Sequence, residues 1–307
     1  MLLYFALRGI EWARVWAAIA EAGAGYLTAC ALTTCGSFFL RSLRWRVLLN
    51  AEARFSVGTV FSATMAGYLG NSFLPARAGE VIRSFIISSH SSLTKTYVLT
   101  TALAERVMDA VALVLWSSVV LLGVNPKPQW LSDVSWTTAL IAAAGALGIV
   151  ILPHASGLCE RIIGWIPLPG GIRERLLHLA RQVLSGLRAF HDARRLAGFV
   201  LLTAAIWALD AFGLVLAGYA FHLPITYTVA ALLISALGLG SAVAATPGYV
   251  GTFQFIAVTV LGPFGISRDA ALALILVVQA LGYIVVLVLG LPAILRYRGW
   301  SRKTPVS

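Results

Sequence analysis

Apolar runs fill most of the chain, and the polar residues fall in short clusters between them. Residues 22–40 form an apolar run of roughly 19 residues, enough to cross about 30 Å of hydrocarbon as a helix. The run stops at Arg41-Ser42-Leu43-Arg44-Trp45-Arg46, where three arginines and a tryptophan predict a cytoplasmic border. Further spans are expected at 97–122, 136–152, 197–221, 225–245 and 269–295. Residues 1–21 are expected to form an interfacial or truncated first helix, because Trp12 and Trp16 share a helix face while Arg8, Glu11 and Arg14 interrupt the apolar run.

Two stretches break this regularity. Residues 56–90 carry Gly58, Gly67 and Gly70, then Asn71-Ser72-Phe73-Leu74-Pro75-Ala76-Arg77-Ala78-Gly79-Glu80-Val81-Ile82-Arg83. Helix is expected to break at Pro75 and Gly79 and to resume at Val81, leaving two halves too short to span comfortably. The second break lies within 246–264, at Thr246-Pro247-Gly248-Tyr249-Val250-Gly251-Thr252-Phe253-Gln254. Pro/Gly-interrupted segments in a membrane chain point to a transport site, since a broken helix presents backbone dipoles to a ligand.

Composition turns this pattern into a class. Of 307 residues, 59% are hydrophobic and 11% charged, against about 25% charged in soluble domains. The expected fold is an all-α polytopic membrane protein: one transmembrane domain over 1–307, a helical bundle of about 6–8 spans with one or two re-entrant or broken helices. The net charge of +11 is spread between apolar runs, which argues against a nucleic-acid partner and for the positive-inside rule. Segment 153–196 carries seven arginines against three acids, and Ile172, Leu176, Leu179, Val183, Leu187 and Phe190 recur at helical spacing. It therefore reads as a cytoplasmic amphipathic segment, either on the inner leaflet or packed on the bundle. The basic tail 296–307 places the C-terminus in the cytoplasm. For 41–54, 153–196 and the tail to share one side, the chain must cross an even number of times between 54 and 97, which a re-entrant hairpin at 56–90 satisfies.

Other chemistry is sparse. Three cysteines make no disulfide framework, and Arg8 and Arg14 follow the first apolar run instead of preceding it, the wrong order for a signal peptide. The five histidines show no metal-ligand spacing, and neither a nucleophile elbow nor a phosphate loop is present, so no cofactor is expected. Trp45, Trp130, Trp136, Trp165 and Trp300 fall at expected interfaces. The charges at membrane depth remain: Arg77, Glu80 and Arg83 beside the first break, Glu105, Arg106 and Asp109 within one helix turn or so, and Asp210 in mid-span. Two roles are open to them. They form a structural ion-pair network, or the arginines bind a lipid phosphate while the carboxylates hold them or receive a cationic headgroup.

The motifs N-S-F-L-P-A-R-A-G-E-V-I-R, E-R-V-M-D and T-P-G-Y-V-G-T-F-Q together resemble the lysylphosphatidylglycerol synthase transmembrane-region family, the flippase-like domain proteins. In the third motif Tyr249 replaces a glycine and Gln254 a glutamate of the family pattern. The resemblance implies a bundle with re-entrant segments in the cytoplasmic (inner) membrane that moves or presents lipids such as aminoacylated phosphatidylglycerol or polyprenyl-linked sugars. It also implies that Asn71, Arg77, Glu80, Arg83, Glu105, Arg106, Asp109 and Gln254, which lie in these motifs, are substrate-binding residues, and Asp210 is expected to join them as an acid in mid-span. The soluble aminoacyltransferase domain of the synthases finds no room in 307 residues, so aminoacyl transfer is not expected. The leading expectation is a flippase-like lipid transporter acting on membrane lipids with an anionic headgroup or lipid phosphate. The alternatives are an intramembrane headgroup transferase using Glu80 or Asp109 as a base, and a membrane partner of a cytosolic lipid-modifying enzyme.

Overall fold

The computed structural model describes residues 2–74, 78–122, 192–243 and 247–301, with the single positions 140, 174 and 177. All regular structure among them is helical. The helices are α1 (Leu2–Leu7), α2 (Trp12–Ala20), α3 (Ala24–Leu49), α4 (Val57–Phe73), α5 (Ala78–Ser88), α6 (Lys95–Leu122), α7 (Ala193–Ala220), α8 (Tyr227–Val243), α9 (Thr252–Leu261) and α10 (Arg268–Ser301). The loop expected at 123–135, the span at 136–152 and most of segment 153–196 lie outside the described residues.

Two helices, α7 and α10, are long and apolar enough to cross a membrane, and α2 with α3 pass the same test together although bent by 86°. The other long helix, α6, has 28 residues, roughly 42 Å at 1.5 Å per residue. Its acids and arginine interrupt the hydropathy that marks a span; they are satisfied inside the protein instead of by water.

Several boundaries depart from expectation for identifiable reasons. The first helix is two, because Gly9 takes φ +75° between α1 and α2. Trp12 and Trp16 do stay exposed on α2, while Val15 is buried. The span expected at 22–40 continues to Leu49, and its supposed border is interior: Arg41, Arg44 and Trp45 are 8%, 0% and 0% exposed. Trp45 donates its indole N–H to Thr101 Oγ1 at 3.1 Å and is no interfacial anchor. The next-to-last long span begins at Ala193, where Asp192 Oδ1 accepts the Arg194 and Arg195 amides as an N-cap.

The α4–α5 hairpin is antiparallel, with Gly70 against Gly79 and Gly67 against Arg83. Helix resumes at Ala78, earlier than Val81, so Gly79 lies inside α5 instead of breaking it. Its missing Cβ is used for contact: a Cβ there would strike the Gly67 carbonyl and sit 2.6 Å from Asn71 Oδ1. Asn71 Oδ1 accepts the Gly79 amide at 2.9 Å, closing the start of α5 from the end of α4. Small residues set the other close contacts too; a Cβ on Gly213 of α7 would lie 2.5 Å from Thr33 of α3, and one on Gly290 of α10 would lie 2.9 Å from the Met65 carbonyl of α4. The main apolar core gathers α7, α8, α9 and α10, and a second joins α3, α4, α5 and α6 with the end of α10. The charged residues lie where these two halves meet.

Candidate functional site

Six charged side chains from α3, α5 and α6 close into a ring of alternating sign. Arg44 donates Nε and Nη2 to Glu105 Oε1 at 3.2 and 2.8 Å, and Nη1 and Nη2 to Asp109 Oδ1 and Oδ2. Arg106, one turn before, pairs with Asp109 at 3.6 Å and with Glu80 at 3.0 Å. Glu80 pairs with Arg83, and Arg83 Nη1 returns to Glu105 Oε2 at 2.9 Å. Each carboxylate thus meets two arginines and each arginine two carboxylates. The helical spacing of Glu80 with Arg83 and of Arg106 with Asp109 supplies two of the six contacts locally; the hairpin and α3 supply the rest.

Burial makes that closure necessary. Arg44, Arg83, Glu80, Glu105 and Asp109 are all 5% exposed or less, and a charge stripped of its partner at such a site costs about 3–5 kcal/mol. Aromatic rings complete the desolvation: Arg44 lies over Phe199 at 5.0 Å and Arg83 over Trp45 at 4.5 Å. Thr203 Oγ1 accepts a further N–H from Arg44 at 3.1 Å.

Arg106 differs from the other five. Its side chain is 24% exposed and lines a cavity of about 290 Å³ bounded by α3, α4, α7, α8, α10 and the second break. Its Nε is engaged by Glu80, but its terminal nitrogens make only long contacts, 3.6 Å to Asp109 and 3.4 Å to the Tyr68 hydroxyl. These are at or beyond hydrogen-bond range, so the outer edge of this guanidinium has donors to spare. On the same cavity Arg41 Nη2 binds Asp210 Oδ2 at 2.6 Å, and Arg41 lies over the Trp207 ring at 4.8 Å.

Both broken segments reach this cavity. Tyr68 and Ser72 come from the end of α4, Gly248, Tyr249 and Phe253 from the second break, and a Cβ on Gly248 would lie 3.1 Å from the Ser72 carbonyl. The second break is shaped by three positive φ angles, at Gly248, Tyr249 and Gly251. A strained tyrosine persists only where its surroundings hold it, and here the Tyr249 ring stacks on Phe253 at 5.0 Å. Gln254 Oε1 accepts the Gly251 amide at 2.7 Å while its Nε2 donates to Gln279 Oε1 at 2.6 Å. Gln279 and Tyr283 of α10 in turn both donate to the Gly248 carbonyl.

The structure therefore brings Glu80, Arg83, Glu105, Arg106 and Asp109 into one ring, and Asn71 reaches it through a 3.5 Å contact with Glu80. Asp210 lines the cavity wall from α7 and is paired with Arg41. Gln254 is 2% exposed behind that wall and holds the break through Gln279. Arg77 lies outside the described residues, and the third arginine of the ring is Arg44. Arg41 and Arg44 read from sequence as a border and not as part of the site, and Trp207, Gln279 and Tyr283 carry no such signal. Arg41, Arg44, Trp45 and Leu48 do recur at i, i+3, i+4 and i+7, the spacing of one helix face, which separates them from Arg46. Among the described residues no group of three or more histidine, cysteine or carboxylate side chains is disposed for a metal ion.

A ring of buried charges beside a cavity within an all-helical apolar bundle defines a membrane protein built around a polar interior site. The family description "Lysylphosphatidylglycerol synthase TM region" matches residues 1–290, and the chain belongs to that family. It is similar to "Glycosyltransferase AglD" of Haloferax volcanii, 25% identical over 82% of this chain and 45% of that protein, so the match spans less than half of that relative. It is also similar to a "UPF0104 membrane protein" of Methanothermobacter thermautotrophicus, 23% identical over 83% of this chain and 80% of that one.

Proposed function

We propose that the protein is a flippase-like lipid transporter of the cytoplasmic membrane, and that the cavity beside Arg106 receives the lipid headgroup. The observation that carries this reading is the convergence of both interrupted segments on one cavity whose wall includes a cation fixed from behind and open in front. A guanidinium held at Nε by Glu80 has two terminal nitrogens directed by a rigid plane, the geometry suited to phosphate oxygens. In this reading the ring is a scaffold for Arg106, with Glu80, Arg83, Glu105 and Asp109 acting through it, Asn71 shaping the first break, and Gln254 the second. A bundle of about 6–8 spans with 56–90 as a re-entrant hairpin and a cytoplasmic C-terminus fits the distribution of basic residues.

The name of the Haloferax relative raises headgroup transfer as the competing function. A transferase base requires a carboxylate free to take a proton. Glu80, Glu105, Asp109 and Asp210 are each paired with arginine, which favours transport. Proteoliposomes holding a headgroup-labelled phospholipid test the proposal: protein-dependent movement of label between leaflets, with lipid masses unchanged, is expected. A new lipid mass without movement would sink it.

A further inference from the structure

Resting on the transport reading, we infer that this cavity selects phosphate headgroups that carry no cationic group, and so disfavours aminoacylated lipids. Among the described residues, the charged ones lining the cavity are Arg41, Arg106 and Asp210, a balance of 2 − 1 = +1. The single carboxylate is already committed to Arg41 at 2.6 Å, whereas Arg106 keeps donor capacity toward the cavity. The three acids of the ring, Glu80, Glu105 and Asp109, are not on the cavity wall and stay at 5% exposure or less. A ligand ammonium would therefore meet two arginines and no available anion.

The remaining groups point the same way. Aromatic faces can cradle an ammonium, but here Arg106 and Arg41 already take one face each of Tyr68 and Trp207, and one face of Tyr249 stacks on Phe253. At the second break Gln254 and Gln279 supply neutral amides: Gln254 donates to Gln279 Oε1, and Gln279 donates to the Gly248 carbonyl and the Tyr283 hydroxyl. Wall hydroxyls such as Ser72 offer lone pairs without charge. A phosphate satisfies a spare guanidinium edge; a lysyl or other aminoacyl ester adds a charge that nothing here receives.

Native mass spectrometry of the full chain in detergent, with lipids supplied in competition, tests this. Phosphatidylglycerol, its lysyl ester and a polyprenyl phosphate are the probes; the first and third share the phosphate, and their ratio tells which source the cavity favours. Retention of either unmodified phosphate lipid over the lysyl ester by about tenfold or more is expected. Arg106→Gln should cut phosphate-lipid retention about tenfold, while Asp210→Asn, which raises the wall charge by one, should widen the preference. Melting curves confirm that each variant is folded. Equal or stronger retention of the lysyl ester by the wild type overturns the inference, as does failure to retain either phosphate lipid. Because binding is read without vesicles, a protein that discriminates but moves no lipid refutes transport alone, and one that moves all three lipids equally refutes selectivity alone.

Discussion

Arg44 of α3 sets two of its nitrogens, Nε and Nη2, on a single oxygen of Glu105, and neither residue is more than 1% exposed. Glu105 gives its other oxygen to Arg83, so one carboxylate ties α3 to the hairpin through α6. Glu105→Gln removes the charge between two buried arginines and should lower stability by about 3–5 kcal/mol. Thermal unfolding in detergent checks this, with Glu52→Gln, a residue in none of the ring's contacts, expected to stay within about 0.5 kcal/mol of wild type.

Arg83 and Arg106 share Glu80 but differ in exposure, 3% against 24% for their side chains. Arg83→Gln should therefore act mainly on stability, again by about 3 kcal/mol or more. Arg106→Gln should cost less stability and more lipid handling. Parallel melting and lipid-retention measurements separate the two; identical profiles for both variants would mean that Arg106 is only another member of the scaffold.

Gly79 is the contact point of the hairpin. Gly79→Ala drives a methyl into the Gly67 carbonyl and the Asn71 side chain, both fixed, and should cost about 2–3 kcal/mol despite the better helix propensity of alanine. Gly58→Ala, at a position in α4 with nothing within 4 Å, should be neutral or slightly stabilising. A larger loss at Gly58 than at Gly79 would contradict the hairpin packing.

Gln254 holds the second break from behind. Gln254→Leu preserves much of the volume but leaves the Gly251 amide and Gln279 Oε1 without partners, so a loss of about 1–3 kcal/mol is expected. Gln279→Leu should do the same and also free the Gly248 carbonyl to Tyr283 alone. Their double-mutant cycle should show coupling of about 0.5 kcal/mol or more, the signature of a shared network.

Much of this arrangement was legible in the chain itself. The two breaks announce themselves through Pro75, Pro247 and Gly248, and the i, i+3 spacing of Arg106 with Asp109 and of Glu80 with Arg83 already foretells two sides of the ring. What escaped was depth. Arg41 and Arg44 end an apolar run, where basic residues ordinarily mark water, and only the tertiary packing of α5, α6 and α7 around α3 makes that position interior. Gln279 and Tyr283 carry no charge and sit in a long apolar helix, so their one signal is a pair of polar groups four residues apart on one face. The glycine at position 79 was read for its conformational freedom, whereas its use is close approach; sequence alone does not tell these apart.

The most direct test of the central claim is leaflet movement of labelled phosphatidylglycerol in proteoliposomes containing wild type, Arg106→Gln or Arg8→Gln, the last lying in the turn between α1 and α2, far from the ring in sequence. Wild type and Arg8→Gln should move the lipid at similar rates, and Arg106→Gln about tenfold or more slowly while remaining folded. Equal rates for all three, or no protein-dependent movement by the wild type, would contradict the account.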